Sequence, residues 1–349
     1  MTIDIRLATQ HDQPRWDGFI QAHADAGPYH LFGWRNAVEK AYRHRSYYLM
    51  AEDENNSIQG VLPLILVKPP FIAANLVSLP FCDYGGIFSD SVEIEEQLIK
   101  HAWDLAISLN AKLEIRCKHA QPSLQSLPGI GVMTHKSRML LALPGSSDQL
   151  WKGFRSKLRS QVKRPQKEGM DFKLGSTELI DAFYTVFSCN MRELGSPVHS
   201  KKWISEVMGA FGERAHIGMV YKETLPIAGG IILECNDTIT IPWASTLSQY
   251  KMASPNMLLY WGFLQYAADH QFKYFDFGRS TPGEGTYKFK EQWGASPETL
   301  HWYGIQYARQ SELSFTHGRL RGMIEKLWSR LPQALADSLG SLLRRYITL

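Results

Sequence analysis

The chain has 349 residues and a mass of 39.7 kDa, which at about 150 residues per domain is enough for two domains. Hydrophobic residues make up 44% and charged residues 21% of it, a balance that excludes disordered and collagen-like chains. The formal net charge is only +4, and apolar runs such as Val61–Val67 fall far short of the roughly 20 residues that cross a bilayer.

The N-terminus contains Asp4 and Asp12 and lacks the apolar segment of a signal peptide, so we expect a first strand and a cytoplasmic protein. The spacing of the four cysteines is typical of neither a zinc site nor a disulfide framework. We interpret them as buried thiols: Cys82, Cys117, Cys189 and Cys235.

The first half alternates β-rich runs with helical patterns, which favours a mixed α/β fold built in layers. The predicted strands are Ile3–Leu7, Tyr47–Ala51, Val61–Val67, Leu76–Leu79, Leu113–Cys117 and Arg138–Leu143. The predicted helices are Gln13–Ala24, Trp34–Tyr42 and Val92–Leu109. Asp90 is interpreted as the N-cap of the last helix, and Asn55 and Asn56 predict a hairpin turn.

A similar order begins again after Pro144 and Gly145. The predicted elements are helices at 178–194, 201–211 and 254–270, and strands at 216–221, 227–234, 238–243 and 274–277. Ser254 and Pro255 suit the first positions of the last helix, and Asn236 with Asp237 predicts a second hairpin turn. We therefore predict two α/β domains of similar order, 1–145 and 146–310, and a helical tail at 311–349.

Positive charge is concentrated in two segments. Residues 152–167 contain seven basic residues and no acidic one, and Phe154 and Leu158 interrupt them at helical spacing. This pattern predicts a helix that docks by an apolar stripe and presents its cations to phosphate groups; a solvated helix face is the alternative. The amphipathic tail has six basic and two acidic residues between Arg319 and Arg345, and it either packs on the body or lies on an anionic membrane.

The richest chemical signal lies at 275–294, which reads FDFGRSTPGEGTYKFKEQWG. Its cations lie beside glycines that allow close approach of the backbone, a combination that suits a phosphate or a developing oxyanion. The residues concerned are Arg279, Lys288, Lys290, Gly278, Gly283 and Gly285. The alternative is a plain connection from strand to helix with surface lysines.

Two further clusters contain polar side chains beside glycines. In LPFCDYGGIFSD, Asp83 and Tyr84 precede two glycines, and this carboxylate either acts as a general base or caps a turn. In MRELGSPVHSKKW, Arg192 and His199 surround a Gly-Ser-Pro turn; a lone histidine is more often structural than catalytic.

Several well-known motifs are absent from the sequence. It contains no Walker A loop, no dinucleotide-binding glycine motif, no HExxH and no GxSxG elbow. These absences weigh against phosphoryl transfer, nicotinamide chemistry, zinc proteolysis and serine hydrolysis. No metal site is predicted.

Other motifs carry a resemblance to a known family. KLRSQVKRPQKEG at 157–169 resembles the basic helix of FemABX-type peptidyltransferases, and YKFKEQWG resembles their closing FK-x-x-(F/W)-G motif. Together with PFCDYGG, GSPVHSKKW and SPNMLLYWGFLQYA, they resemble the branch of FemAB-related, PEP-CTERM system-associated proteins over most of residues 1–310.

The resemblance implies two tandem domains of the GNAT acyltransferase fold. It also implies transfer of an acyl or aminoacyl group to an amine or hydroxyl of a cell-envelope precursor or exopolysaccharide. In the family, the lysine that corresponds to Lys290 stabilises the transition state near the donor's carbonyl and phosphate. The family's acidic residue of the first domain corresponds either to Asp90 or to Asp83.

The donor stays open between aminoacyl-tRNA and acyl-CoA. The basic helix, with Arg159 and Lys163, suits a tRNA backbone, but the sequence lacks the charged coiled-coil arm that some Fem proteins carry. It also lacks the (Q/R)-x-x-G-x-(G/A) pyrophosphate signature of ordinary GNAT enzymes.

These observations lead to the hypothesis of an acyl- or aminoacyltransferase. The catalytic candidates are Lys290, Asp83 and Tyr84. The candidates for donor or phosphate binding are Arg279, Lys288, Gly278, Gly283, Gly285, Arg159 and Lys163, and those for acceptor binding are Asp90, His199, Arg192 and Asn256. The alternatives are an acyl-CoA-dependent N-acyltransferase that acts on an amino sugar, and a non-catalytic module that binds anionic glycans or lipids. As a surface residue, Lys290 is expected to tolerate alanine at a cost within about 1 kcal/mol of stability.

Overall fold

The computed structural model of the chain describes residues 2–304 and 314–349. The chain forms two compact units. The first unit comprises Met1–Arg138, Glu298–Ser314 and Tyr346–Leu349, and the second comprises Met139–Pro297 and Phe315–Arg345. The division into domains 1–145, 146–310 and 311–349 stays a prediction, and its boundary at residues 310 and 311 lies outside the described residues.

The elements up to residue 142 belong to the first unit, except that the last strand joins the sheet of the second unit. Its helices are α1 (Gln13–Ala22), α2 (Phe32–Tyr42), α3 (Val92–Ser108) and α4 (Pro122–Gln125). The strands are β1 (Asp4–Leu7), β2 (Arg45–Ser46), β3 (Leu49–Glu52), β4 (Ile58–Leu62), β5 (Ile65–Val67), β6 (Ala74–Val77), β7 (Phe88–Ser89), β8 (Ala111–Cys117), β9 (Gly131–Met133) and β10 (Ser137–Ala142).

The later elements form the second unit, except that one strand returns to the first. The helices are α5 (Ser147–Gly153), α6 (Ser156–Lys167), α7 (Ile180–Glu193), α8 (Lys201–Phe211), α9 (Pro255–Asp269), α10 (Gly285–Glu291), α11 (Ser314–Ser329) and α12 (Gln333–Arg344). The strands are β11 (Met170–Gly175), β12 (Ala215–Lys222), β13 (Leu225–Cys235), β14 (Thr238–Thr246), β15 (Tyr274–Ser280), β16 (Ser296–Thr299) and β17 (His301–Gly304), of which β17 belongs to the first unit.

Two sheets build the first unit, one in the order β1-β3-β4-β7 and the other in the order β2-β5-β6-β8-β17-β9. In the larger sheet β6 and β8 are parallel, with the register Ala74↔Ala111 to Val77↔Glu114. Helix α3 packs on these sheets because its buried face, which includes Leu98 and Ala102, meets apolar strand residues such as Leu113. The parallel pair brings the residues after β6 and β8 to one edge of the core.

The predicted strand Val61–Val67 is two strands in the structure, because Pro63 interrupts it. Proline has no backbone N–H and cannot continue a ladder of hydrogen bonds, so β4 ends at Leu62 and β5 begins at Ile65. The prediction of Asp90 as the N-cap of α3 is also wrong. Ser91 holds that position, and its hydroxyl accepts a hydrogen bond from the N–H of Ile94 at 3.3 Å.

One seven-stranded sheet, in the order β11-β12-β13-β14-β15-β10-β16, builds the second unit. Helix α9 contributes an apolar face to its core, with Leu259, Phe263 and Leu264 fully buried. Ser254 precedes α9 in the left-handed conformation, with φ of 57°, and its side chain makes no capping hydrogen bond. The predicted N-cap position is therefore correct, but the predicted side-chain cap is absent there.

The basic segment docks as the sequence predicts. Phe154, Leu158 and Val162 are buried, while cations such as Lys157 and Lys163 are exposed. The helix is broken between α5 and α6, where Phe154 adopts an extended conformation.

The first five residues of YKFKEQWG, 287–291, lie in helix α10, so Lys288 and Lys290 have helical spacing. All four cysteines are free thiols, and three are buried while Cys189 is half-buried. Over residues 2–304 and 314–349, no helix is both long enough and apolar enough to span a bilayer.

Candidate functional site

The second unit contains an opening between two parallel strands. Strands β14 and β15 pair from Thr238↔Tyr274 to Thr240↔Asp276. Both strands continue beyond this point, to Thr246 and Ser280, but the pairing does not. On its other side, β14 stays paired with β13 as far as Thr246, so it is the edge of β14 facing β15 that the separation frees.

A cavity of about 370 Å³ borders the end of β14 and the beginnings of α9 and α10. It is lined by Asn190, Leu194, Ala244, Ser245, Thr246, Lys251, Asn256, Leu259, Tyr260, Gly285, Thr286, Phe289 and Lys290. Three residues singled out by the sequence therefore meet here: Asn256, Gly285 and Lys290. Arg279, Lys288 and Gly283, and Arg159 and Lys163 on α6, are not among its lining residues.

Lys290 joins the cavity to the end of β15. Its Nζ donates hydrogen bonds to the carbonyl oxygens of Gly278 at 3.1 Å and Arg279 at 2.8 Å. The expectation of a surface lysine is wrong, since only 8% of Lys290 is exposed. Burial follows from the helical form of α10, which turns Lys288 to solvent and Lys290 toward β15. Its ammonium is thus a fixed positive charge at one wall of the cavity.

The glycines near this lysine have distinct roles. Gly278 has φ of +71° and Gly283 has φ of +84°, values that favour glycine. The N–H of Gly278 donates to the Asp276 carboxylate at 2.8 Å. Asp276 is fully buried, so it fixes the backbone at the point where β15 separates from β14. This role of Asp276 is not evident from the sequence, in which Asp276 resembles an ordinary strand residue.

In the first unit, the segment around Asp83 and Tyr84 follows β6 and has unusual backbone geometry. Leu79 and Phe81 have φ of 65° and 69°, which is strained for bulky side chains. The fully buried Arg116 of β8 holds this segment, because its guanidinium donates to the carbonyl of Cys82 at 3.0 Å. No pattern in the sequence singles out Arg116, which is one charged residue in a β-rich run.

Tyr84 is a core residue. It is 1% exposed, and the Lys118 ammonium lies 4.5 Å from the centre of its ring. Asp83 is half-buried, and its backbone carbonyl accepts a hydrogen bond from the Trp302 indole at 2.9 Å. Asp90 is exposed and lies 3.4 Å from the Nε2 of His23. The catalytic role of Asp83 and Tyr84 stays a prediction.

Beside this segment the first unit has a smaller cavity, of about 170 Å³, bordered by Gly86, Cys117, Lys118 and His30 among others. Burial, and next the charge of Lys118, lower the pKa of His30 to about 3. Burial raises the pKa of Cys117 to about 12, so this thiol is protonated at neutral pH and is a poor nucleophile.

The third predicted cluster supports the C-terminal helices. Arg192 donates to the carbonyl of Leu331 at 3.2 Å. The imidazole of His199 is buried and stacks on Trp203; burial, followed by the charge of Arg344, lowers its pKa well below the usual value. These contacts give both side chains a structural role, and acceptor binding by them stays a prediction.

In the described part of the chain, no group of three or more His, Cys, Asp or Glu side chains could hold a metal ion.

Three residues that line the larger cavity were not singled out in the sequence: Ser245, Lys251 and Tyr260. Residue 245 falls beyond the predicted end of its strand, so recognising that β14 continues past Trp243 would have drawn attention to it.

Comparisons with known proteins agree with this architecture. Residues 152–291 match a family model described as an acetyltransferase (GNAT) domain. No curated protein has a significant sequence match to the chain. The fold is similar to that of FemX, with a TM-score of 0.69 and 14% identity over 92% of this chain and 100% of FemX.

Two other solved structures are similar. One is a tandem GNAT protein from the clavulanic acid biosynthesis pathway, with a TM-score of 0.55 and 11% identity over 87% of this chain and 98% of that one. The other is L-PGS from Bacillus licheniformis, with a TM-score of 0.54 and 12% identity over 92% of this chain and 99% of that one. These findings confirm the predicted α/β fold with GNAT-like architecture, and the residues that match the GNAT model lie in the second unit.

Proposed function

We propose that the protein is an acyl- or aminoacyltransferase whose donor binds in the cavity of the second unit. The acceptor is an amine or hydroxyl of a cell-envelope precursor or exopolysaccharide, the class that the resemblance to FemAB-related, PEP-CTERM system-associated proteins implies. The observation that carries the proposal is the separation of β14 from β15 after Thr240 and Asp276, with a cavity beside the freed edge of β14.

The separated strands suit an extended donor that contains amide groups. Backbone N–H and C=O groups need partners, and an extended ligand can supply them by lying along a free strand edge. The freed edge of β14 ends at Ala244, Ser245 and Thr246, which line the cavity. A phosphate on the donor has two favourable neighbours, since Lys251, in the turn before α9, and Asn256, in the first turn of α9, line the same cavity. A helix N-terminus also attracts anions.

The reaction needs no covalent enzyme intermediate. The acceptor nitrogen or oxygen attacks the donor's carbonyl carbon, and the carbonyl oxygen becomes negative. The bond from the carbonyl carbon to the donor's sulfur or oxygen then breaks, and the leaving atom keeps the electron pair and takes up the proton that the acceptor loses. The buried Lys290 provides a fixed positive charge at the cavity wall for the oxygen that becomes negative, and such fixed charges are usually the largest single contribution to acyl transfer. Alignment of donor and acceptor supplies the rest.

An acyl-CoA-dependent N-acyltransferase that acts on an amino sugar is the second candidate. The observation that favours it is the GNAT domain at 152–291. Aminoacyl-tRNA is favoured instead by the exposed cations of α6, which offer contacts for a phosphate backbone. Binding of aminoacyl-tRNA should therefore depend on the cations of α6, whereas binding of acyl-CoA should not.

The experiment is a thermal-shift panel with acetyl-CoA, longer acyl-CoAs, aminoacyl-tRNA and nucleotide-activated sugars. It compares the wild type with Thr286→Tyr, which fills the cavity, and with Lys288→Tyr on the exposed side of the same helix. A ligand that binds only the folded state raises the Tm. We expect one donor class to stabilise the wild type and Lys288→Tyr but not Thr286→Tyr.

Equal stabilisation of all three proteins by that donor would contradict the proposed site. If no donor stabilised any of them while polyanions bound in a salt-dependent manner, the non-catalytic binding module would replace the proposal. A Lys163→Glu variant separates the donors, because only binding of aminoacyl-tRNA should weaken.

A further inference from the structure

Helix α12 packs on the second unit with its small residues and exposes its leucines. Ala336 and Gly340 are buried, and a side chain on Gly340 would meet the backbone N of Val198 at 2.9 Å. Leu335, Leu339, Leu342 and Leu343, at helical spacing, are 43–57% exposed. An ordinary surface helix buries its leucine face, so this orientation is the reverse of the usual one.

Helix α11 has a similar exposed apolar surface. Met323, Ile324 and Leu327 are 61%, 53% and 65% exposed. The helix is nevertheless attached to the second unit, because Glu325 contacts Gly195 so closely that a side chain at Gly195 would lie 2.6 Å from its Cα. Trp328 likewise lies beside Gly340. The exposed apolar residues therefore belong to helices that are held in place.

Positive charge accompanies these apolar residues. The sequence from 314 to 349 contains six basic residues and two acidic ones. Lys326 and Arg330 are exposed next to Leu327, whereas the carboxylate of Asp337 is occupied by the Gln333 amide at 2.8 Å. Long basic side chains beside an apolar helix face are typical of helices that lie in the interface of an anionic membrane.

We propose that the exposed faces of α11 and α12 form a docking surface for an anionic lipid bilayer. The leucines enter the boundary between headgroups and acyl chains, while Lys326 and Arg330 contact lipid phosphates. A second copy of the chain is a poorer occupant, because a symmetric contact would bring two positively charged tails together. The surface is independent of the donor cavity, so the proposal goes beyond the proposed function.

The test is flotation of the full-length protein with vesicles at low and high salt. One set is pure phosphatidylcholine and the other contains about a third phosphatidylglycerol, which gives a negative surface. We expect binding to the anionic vesicles that falls at least about tenfold at high salt. Leu339→Glu/Leu342→Glu should reduce this binding at least about tenfold, and Lys326→Glu/Arg330→Glu should reduce it while leaving any residual binding to phosphatidylcholine unchanged.

The matched control is Phe71→Glu/Ile72→Glu, which removes two exposed apolar side chains of the first unit. It should bind as the wild type does, and all variants should keep the wild-type Tm. Wild-type binding by the leucine variant would overturn the proposal. Conversion of a wild-type dimer to a monomer by the same variant would also overturn it, because the face would then be a contact between copies. Both results leave the donor panel unaffected.

Discussion

Both units contain a pair of parallel strands, but the pair continues differently in each unit. In the first unit the pair β6 and β8 is continued by the segment after β6: Ser78 donates to the carbonyl of Glu114 at 2.8 Å, and Gly85 donates to that of Arg116 at 3.0 Å. In the second unit β14 and β15 separate after Asp276, and the larger cavity borders the freed edge. In the first unit the chain itself therefore extends the strand pair, which we call closed. In the second unit the strand pair is not extended, and we call it open.

Each unit also holds a buried cation against backbone carbonyls near this point. In the first unit Arg116 donates to the carbonyl oxygens of Cys82 and Thr348, the latter near the C-terminus. The charge of Arg116 therefore has a structural role. In the second unit Lys290 holds the end of β15 and also lines the cavity. The difference indicates that a shared fold does not imply a shared site, and it supports the proposal that the donor binds in the second unit.

The largest stability effect is expected at Arg116. Its side chain is fully buried and pairs with Glu114 at 2.7 Å, so Arg116→Met leaves a carboxylate and several carbonyls without their donor. We expect a loss of about 3–5 kcal/mol in the free energy of unfolding, measured by urea titration. The double variant Arg116→Met/Glu114→Gln should recover part of this loss. A loss below about 1 kcal/mol would contradict the closed strand pair.

The largest effect on activity is expected at Lys290. Lys290→Ala should lower the transfer rate by about 10²–10³-fold, since one fixed charge at the reacting oxygen is lost. It should also cost about 1–3 kcal/mol of stability, because two buried carbonyls lose their donor. The measurements are steady-state kinetics and thermal unfolding.

The control for this comparison is Lys288→Ala, on the exposed side of α10, which should keep both activity and stability. Activity close to that of the wild type in Lys290→Ala would remove the catalytic role of this lysine and leave it as a structural anchor of β15.

The burial of Lys290 could not be predicted from the sequence. The pattern of strands, turns and helices was readable because apolar periodicity and Asn-rich turns are local signals, and Phe154 and Leu158 pack as predicted. Whether Lys290 faces solvent or β15 depends on the helix α10, which is too short for a clear periodicity. The closure of the first unit depends on contacts between Arg116 and Thr348, which are distant in sequence.

The pH dependence of stability should separate the two units. His30, in the first unit, has a pKa of about 3 when folded and 6.5 when unfolded. Between these values the unfolded state binds the extra proton, so the free energy of unfolding falls as the pH drops below 6.5. At pH 4 the loss is about 3 kcal/mol. His30→Gln should remove this acid-induced loss. The measurement is the fall in urea midpoint from pH 7 to pH 4, which should be smaller in His30→Gln than in the wild type.

The exposed His101→Gln is the control and should retain the full pH dependence. His199 lies in the second unit, and burial lowers its pKa as well, so His30→Gln should keep a residual acid sensitivity that His199→Gln removes. An unchanged acid dependence in His30→Gln would show that His30 is not held neutral in the folded first unit.

The smallest expected effects come from two glycines, one beside each strand pair. A side chain on Gly85 would meet the Cβ of Leu79 at 2.6 Å, whereas a side chain on Gly285 would meet nothing within 4 Å. Leu79 cannot easily yield, since its backbone is already in a strained conformation. We therefore expect Gly85→Ala to cost about 1–3 kcal/mol of stability. Gly285→Ala, at the first position of α10, should be neutral or stabilise by up to about 1 kcal/mol. Equal effects of the two substitutions on the urea midpoint would mean that the segment after β6 is as loosely packed as the cavity wall, and the contrast between a closed and an open strand pair would then be lost.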